Sequence, residues 1–259
     1  MTDLTQTERR SVGVELRTMI TRSLRLSIRS VDALLTALML PVILMLIFVY
    51  LFGGAIQTGT SYVDYVLPGI LLVCAGFGVG TTAVTVSNDL RIGVADRFRA
   101  MDVRAEAVVA GHVIASVLRN LLSTLIVFIV AVPIGFRSSA PPQAWLAAAG
   151  VLALFVFALS WLCAALGVLA SSPEAAGGLT FLISFLPYPS SAFVPIHTMP
   201  SWLQGFARHQ PATCVIDTLR GLLSGGPVAA TAWAAIVWSL GIAVLGMALA
   251  GVLYRRRTA

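Results

Sequence analysis

The chain has 259 residues, of which 58% are hydrophobic and only 11% charged, with a mean hydropathy of +0.92. This lies outside the range of soluble globular domains and marks a polytopic membrane protein. The net charge of +6 comes from seventeen arginines and no lysine, and these sit beside apolar runs, as orientation signals and headgroup partners rather than a nucleic-acid surface.

Residues 1–32 form a charged N-terminal segment with no signal-peptide cleavage pattern after the apolar run. Within it Val12, Leu16, Met19, Ile20, Leu24, Ile28 and Val31 share one helical face, and Arg22, Arg25 and Arg29 lie roughly opposite. A frayed basic tail is the plainer alternative. The period holds over five turns, which favours an amphipathic helix lying in the membrane interface, its guanidinium groups among anionic headgroups.

The transmembrane domain is expected over 33–254. Its first span is about 33–53, with Pro41 inside it, and its second about 65–87. The second contains Gly76-Phe77-Gly78-Val79-Gly80, but no strand precedes this run, so it is not a nucleotide-binding glycine loop. Gly76 and Gly80 instead have the spacing that lets membrane helices approach closely.

Asn88 to Glu106 is the longest polar interruption, carrying eight charged residues. Leu90, Val94, Phe98 and Met101 fall on one stripe at helical spacing. The stretch is either a solvated loop or a short amphipathic docking helix over about 88–104. The apolar run that follows, 107–136, is divided by Arg119 and Asn120. Because a charge at the bilayer centre is expensive, Arg119 is expected at the interface, with the third span over about 121–136.

The fourth span is expected over about 145–170. A turn at Ser171–Glu174 leads to a fifth apolar run that meets Pro187 and Pro189 after twelve residues, a rise of about 18 Å against a hydrocarbon core of about 30 Å. The fifth span, about 175–196, must continue through the prolines or fold back. Two short amphipathic pieces, Met199-Pro200-Ser201-Trp202-Leu203 and Pro211–Leu223, suggest a re-entrant segment over about 197–225. The last span is about 231–254, followed by the tail 255–259. With six spans both termini share one side, which gathers thirteen arginines against Arg137, Arg208 and Arg220 on the other. The positive-inside rule therefore places both termini and residues 88–106 in the cytoplasm of a plasma-membrane protein.

No catalytic site is legible. A Walker A motif needs a lysine and the chain has none. His112, His197 and His209 are isolated and lack metal-ligand spacing. Cys74, Cys163 and Cys214 are far apart and read as small buried hydrophobes. Acidic residues are almost absent from the spans, which disfavours a proton-coupled pump.

Three blocks then carry a resemblance. They are Asn88-Asp89 … Gly93 … Asp96-Arg97-Phe98-Arg99 … Met101; Pro41 … Tyr50-Leu51-Phe52-Gly53-Gly54 … Tyr65 … Leu67-Pro68-Gly69-Ile70; and Phe193 … Met199-Pro200 … Trp202-Leu203 … Pro211 … Asp217 … Arg220-Gly221-Leu222. Together they cover about residues 30–230 in the family's order along the chain, and the chain resembles the membrane subunit of a type-2 ABC exporter, close to the daunorubicin-resistance permease group. The resemblance implies an all-α fold of six spans, an N-terminal interfacial helix, a re-entrant pair before the last span, and pairing with a second permease copy. It also implies a separate cytosolic ABC ATPase, in two copies and carrying ATP and Mg, that contacts Asp96, Arg97, Phe98, Arg99 and Met101. No cofactor or metal is expected in this chain. Relatives often have proline after the residue matching Met101; Asp102 here lets that helix run further. Two rivals remain: a lipid-metabolism membrane enzyme, for which Asp217 and Arg220 are the candidate pair, and a self-powered secondary transporter, which should show an internal repeat. The cargo is not legible.

Overall fold

The computed structural model describes residues 21, 31–56, 58–93 and 105–258. Arg22, Arg25 and Arg29 of the expected interfacial helix, and Asp96, Arg97, Phe98, Arg99 and Met101 of the expected docking helix, lie outside them. The described residues are helical with no strand. Helix α1, Val31–Ile47, contains Pro41 and passes into a π-helical turn, Phe48–Phe52. Then follow α2 (Tyr62–Arg91), α3 (Ala105–Ile134) and α4 (Pro142–Leu169). Three short helices, α5 (Pro173–Ser184), α6 (Ser201–His209) and α7 (Pro211–Ser224), precede the long α8 (Ala229–Thr258).

Among the described residues, four helices are long and apolar enough to cross a membrane: Tyr62–Arg91, Val108–Ile134, Pro142–Leu169 and Ala229–Arg257. The chain is thus an all-helical, multi-pass membrane protein. Helix α2 is the hub. Residues 62 to 76 along it are buried apart from Asp64, so it has no solvated face, as expected of a helix enclosed on all sides. It packs against α1, α3, α4, α5 and α7, while α8 lies mainly against α4. Glycines allow the closest approaches. A Cβ at Gly167 of α4 would strike the Ala83 carbonyl of α2, and one at Gly69 would come 2.6 Å from Ala192 Cβ.

Two sequence expectations change here. Helix α3 runs unbroken through Arg119 and Asn120, so there is no connector ahead of a span starting at 121. The guanidinium finds its partners on the neighbouring α2. Residues 88–91 are the last turn of α2, which stops one turn later than expected: Ile92 N–H bonds the Asn88 carbonyl at 3.0 Å, and Gly93 adopts φ 69°, a left-handed conformation favoured by glycine at a helix end.

The fifth apolar run is one helix only as far as Ser184, and residues 185–194 follow as turns. Leu186 and Tyr188 each precede a proline, which disfavours helical backbone, and neither proline has an N–H to donate.

Candidate functional site

Polar side chains inside the apolar bundle collect at three levels. The first is the end of the bundle where α2 meets α3. Asp89 and His112 are both buried there, with His112 Nε2 3.0 Å from Asp89 Oδ2. The turn between α4 and α5 is at the same end. Ser172 caps α5 by accepting from the Ala175 N–H at 3.2 Å. A hydrogen bond with Ser172 holds the exposed Glu174 carboxyl below its ordinary range, and the charge of Arg91 at the end of α2 adds to this. Arg257 of α8 reaches the same turn, donating to the Ala170 carbonyl at 2.7 Å and to the Val168 carbonyl. These contacts knit the ends of α2, α4, α5 and α8 together.

The second level lies midway along α3. Arg119 donates to Thr81 Oγ1 at 2.7 Å and to the Gly78 carbonyl at 3.4 Å, both on α2. Asn120 bonds back to the Ser116 carbonyl at 2.8 Å, and Ser160 of α4 donates to Ser116 Oγ at 2.9 Å. In a low-dielectric interior such bonds are strong when satisfied, and they stitch α2, α3 and α4 together.

The third level, at the far end, is built around Arg220 of α7. Its guanidinium pairs with Asp217 at 2.6 Å, donates to the Ser191 carbonyl at 2.7 Å and to the Tyr65 carbonyl at 3.1 and 3.2 Å, and lies 3.9 Å from the centre of the Tyr65 ring. Ser191 Oγ donates to Asp217 Oδ1 at 2.6 Å. The pair anticipated at i and i+3 is therefore a clamp joining α7, α2 and the turn after α5. Tyr62 donates to the Phe193 carbonyl at 2.9 Å, and Gln210 donates to the Pro189 carbonyl. Three carbonyls of the irregular segment are thus met by side chains, which is what non-helical backbone requires away from water.

Of the other anticipated residues, Met199 and Pro200 lead into α6, where Gln204 donates to the Met199 carbonyl at 2.9 Å. Trp202 is 79% exposed on α6, and Pro211 opens α7. Gly76 and Gly80 face α5: a Cβ would meet Ser184 Cα at 3.1 Å or Thr180 Oγ1 at 3.3 Å. Sequence reasoning assigned no contact to Tyr65 and Ser191, whose backbone carbonyls receive Arg220, to Gln210, which donates to the Pro189 carbonyl, or to Thr81, which receives Arg119. It also missed a crevice of about 360 Å³ walled by Leu125, Phe128, Trp145, Leu152, Leu219 and Leu223 between α3, α4 and α7. Cys74, Cys163 and Cys214 are all buried.

Comparison with known proteins gives a consistent result. The family described as ABC-2 type transporter matches residues 14–223. A daunorubicin resistance ABC transporter permease of Streptomyces coeruleorubidus is 32% identical over 194 residues, covering 74% of this chain and 69% of that protein. A probable doxorubicin resistance ABC transporter permease of Mycobacterium tuberculosis is 24% identical over 225 residues, covering 85% of this chain and 80% of its own length.

Proposed function

The chain belongs to the ABC-2 type transporter family and is a membrane permease subunit of an ABC exporter, and from this premise we propose that two permease copies, identical or related, act with two cytosolic ATPase subunits. ATP and Mg belong to the ATPase. A chain without lysine has no Walker A residue to hold phosphates. The observation that carries the reading is the junction between α2 and α3, where two long apolar helices are joined through the charged residues 94–104. There Asp96, Arg97, Phe98, Arg99 and Met101 form a coupling helix that sits against the ATPase, and closure of the ATPase pair pushes on it to switch access between the spans.

Six crossings follow from the same reading: α1 with its π turn, α2, α3, α4, α5 with the turns after it, and α8. At twelve residues α5 rises about 18 Å, and the carbonyl contacts made by Tyr62, Gln210 and Arg220 support continuation of the crossing through irregular backbone. Helices α6 and α7 form a re-entrant pair, with Trp202 at the interface as aromatic residues prefer. Residues 1–32 supply an interfacial helix held by Arg22, Arg25 and Arg29. Both termini face the cytoplasm. The cargo is a hydrophobic or amphiphilic molecule, such as the drugs for which the two relatives are named.

The test is co-purification of the ATPase with permease variants that still reach the membrane. An apolar anchor lost from such an interface costs about 2 kcal/mol, roughly a thirtyfold weakening. Phe98→Ala should therefore insert normally yet lose the ATPase and uncouple transport from hydrolysis. Arg97→Ala should assemble less well in high salt than in low, because screening weakens the remaining charge contacts. Wild-type assembly and transport in both variants would leave 94–104 as an ordinary loop.

A further inference from the structure

Near its C-terminal end α8 meets α3 and α4 around a cavity of about 250 Å³, walled by Trp161, Met247, Ala250 and Gly251 and edged by Tyr254 and Arg255. Its wall is apolar along the membrane depth and ends in a cation. Arg255 Nε donates to the Gly251 carbonyl at 3.1 Å, and a Cβ on Gly251 would come 3.7 Å from Arg255 Nη2. The guanidinium is thus folded back one turn over the glycine at the rim of the cavity, while the side chain remains exposed.

Arg257 has a packing reason for its position, since it bonds carbonyls at the end of α4. Arg255 pairs with no carboxylate among the described residues. On the same wall, Trp161 has a buried indole N–H without an acceptor among the described residues, an arrangement that folded proteins usually avoid. The cavity therefore offers an anion site at its rim and an apolar lining. Of the four long helices α8 is the least buried, so this edge of the bundle faces the bilayer, where lipid is the concentrated amphiphile.

We propose that the cavity binds one anionic phospholipid, its phosphate at Arg255 and an acyl chain along Trp161, Met247 and Ala250. Basic pockets between membrane helices select anionic headgroups, and the glycine at position 251 leaves room for the guanidinium to lie against the chain it holds.

The experiment is native mass spectrometry of the full-length permease in detergent, titrated with phosphatidylglycerol or with phosphatidylcholine of the same chain length. Wild type should retain one phosphatidylglycerol in preference to phosphatidylcholine. Arg255→Gln should lower that preference about fivefold, the contribution of one arginine near a membrane surface. Arg256→Gln removes the same charge one residue away, at a side chain that does not line the cavity, and should leave the preference intact. Gly251→Leu fills the cavity while keeping the charge and should abolish retention. Tail-less glycerol phosphate should not compete.

Equal loss in both arginine variants would reduce the effect to diffuse attraction and overturn the site. So would an unchanged preference in Arg255→Gln, or competition by glycerol phosphate. Retention by a folded Gly251→Leu protein, with wild-type helix content by circular dichroism, would show that the tail lies elsewhere and would equally overturn it.

Discussion

Arg220 shows how one side chain can hold several pieces of irregular structure. Its guanidinium meets Asp217 and the carbonyls of Tyr65 and Ser191, using the fork of donors that lysine lacks. Hydrogen bonds to a charged group contribute about 1.5–3 kcal/mol each when buried. The pair is partly exposed, with the side chains 19% and 31% accessible, so solvent screening reduces the total. Arg220→Ala should lower unfolding stability in detergent by about 2 kcal/mol, and Arg220→Lys should recover only part of it. A wild-type melting curve for either variant would mean the clamp is idle. The spacing of Asp217 and Arg220 was legible as an i, i+3 pair. Its carbonyl partners were not, because any residue supplies a carbonyl and only the fold selects which. The partner of Arg119 was hidden for a related reason. Its acceptor, Thr81, lies 38 positions earlier and looks like an ordinary threonine in a span.

At the scale of elements, spacing of small residues was legible only where it formed a recognised pattern. Gly76 and Gly80 stand four apart and face α5, whereas Gly167 lies alone in α4 and yet meets the Ala83 carbonyl of α2. An added methyl there must push two backbones apart, and overpacking of this kind costs about 1–3 kcal/mol. Gly150, on the same helix, has open space where a Cβ would go. Gly167→Ala should therefore lower the unfolding midpoint, while Gly150→Ala should raise it or leave it unchanged, since alanine is favoured over glycine by up to about 1 kcal/mol in a helix. A helix-propensity effect alone would move both upward, and that result would show that the α2–α4 contact is not tight. The early stop of α5 was legible from Pro187 and Pro189. The unbroken course of α3 was not, because composition gives the cost of a charge but not its partner.

For the whole molecule, the arginine distribution predicts a fixed orientation. Single-cysteine variants near residues 10, 98 and 257 should label only from the cytoplasmic side, and variants near 60, 140 and 205 only from outside. The native cysteines are buried and should contribute little background. Labelling of a position near 98 from outside would overturn the orientation and with it the ATPase contact. Membrane class and family were readable because hydropathy and three ordered motif blocks are properties of sequence alone. The hub role of α2 was not, since five neighbours from both ends of the chain surround it.

The clamp at Arg220 also has a consequence for the order of synthesis. The Ser191 carbonyl is made 29 residues before the guanidinium that serves it. At about 5–20 residues per second this is a wait of roughly one and a half to six seconds, and the Pro189 carbonyl likewise precedes Gln210. On the six-crossing reading proposed above, an unmet backbone group in hydrocarbon costs several kcal/mol, so the segment after α5 has no stable place at that depth until α7 has left the ribosome. Insertion of α5 is therefore not a local event. It is completed retroactively by a helix translated later, and a nascent chain ending before Gln210 should still hold this segment in the translocon or at the membrane surface.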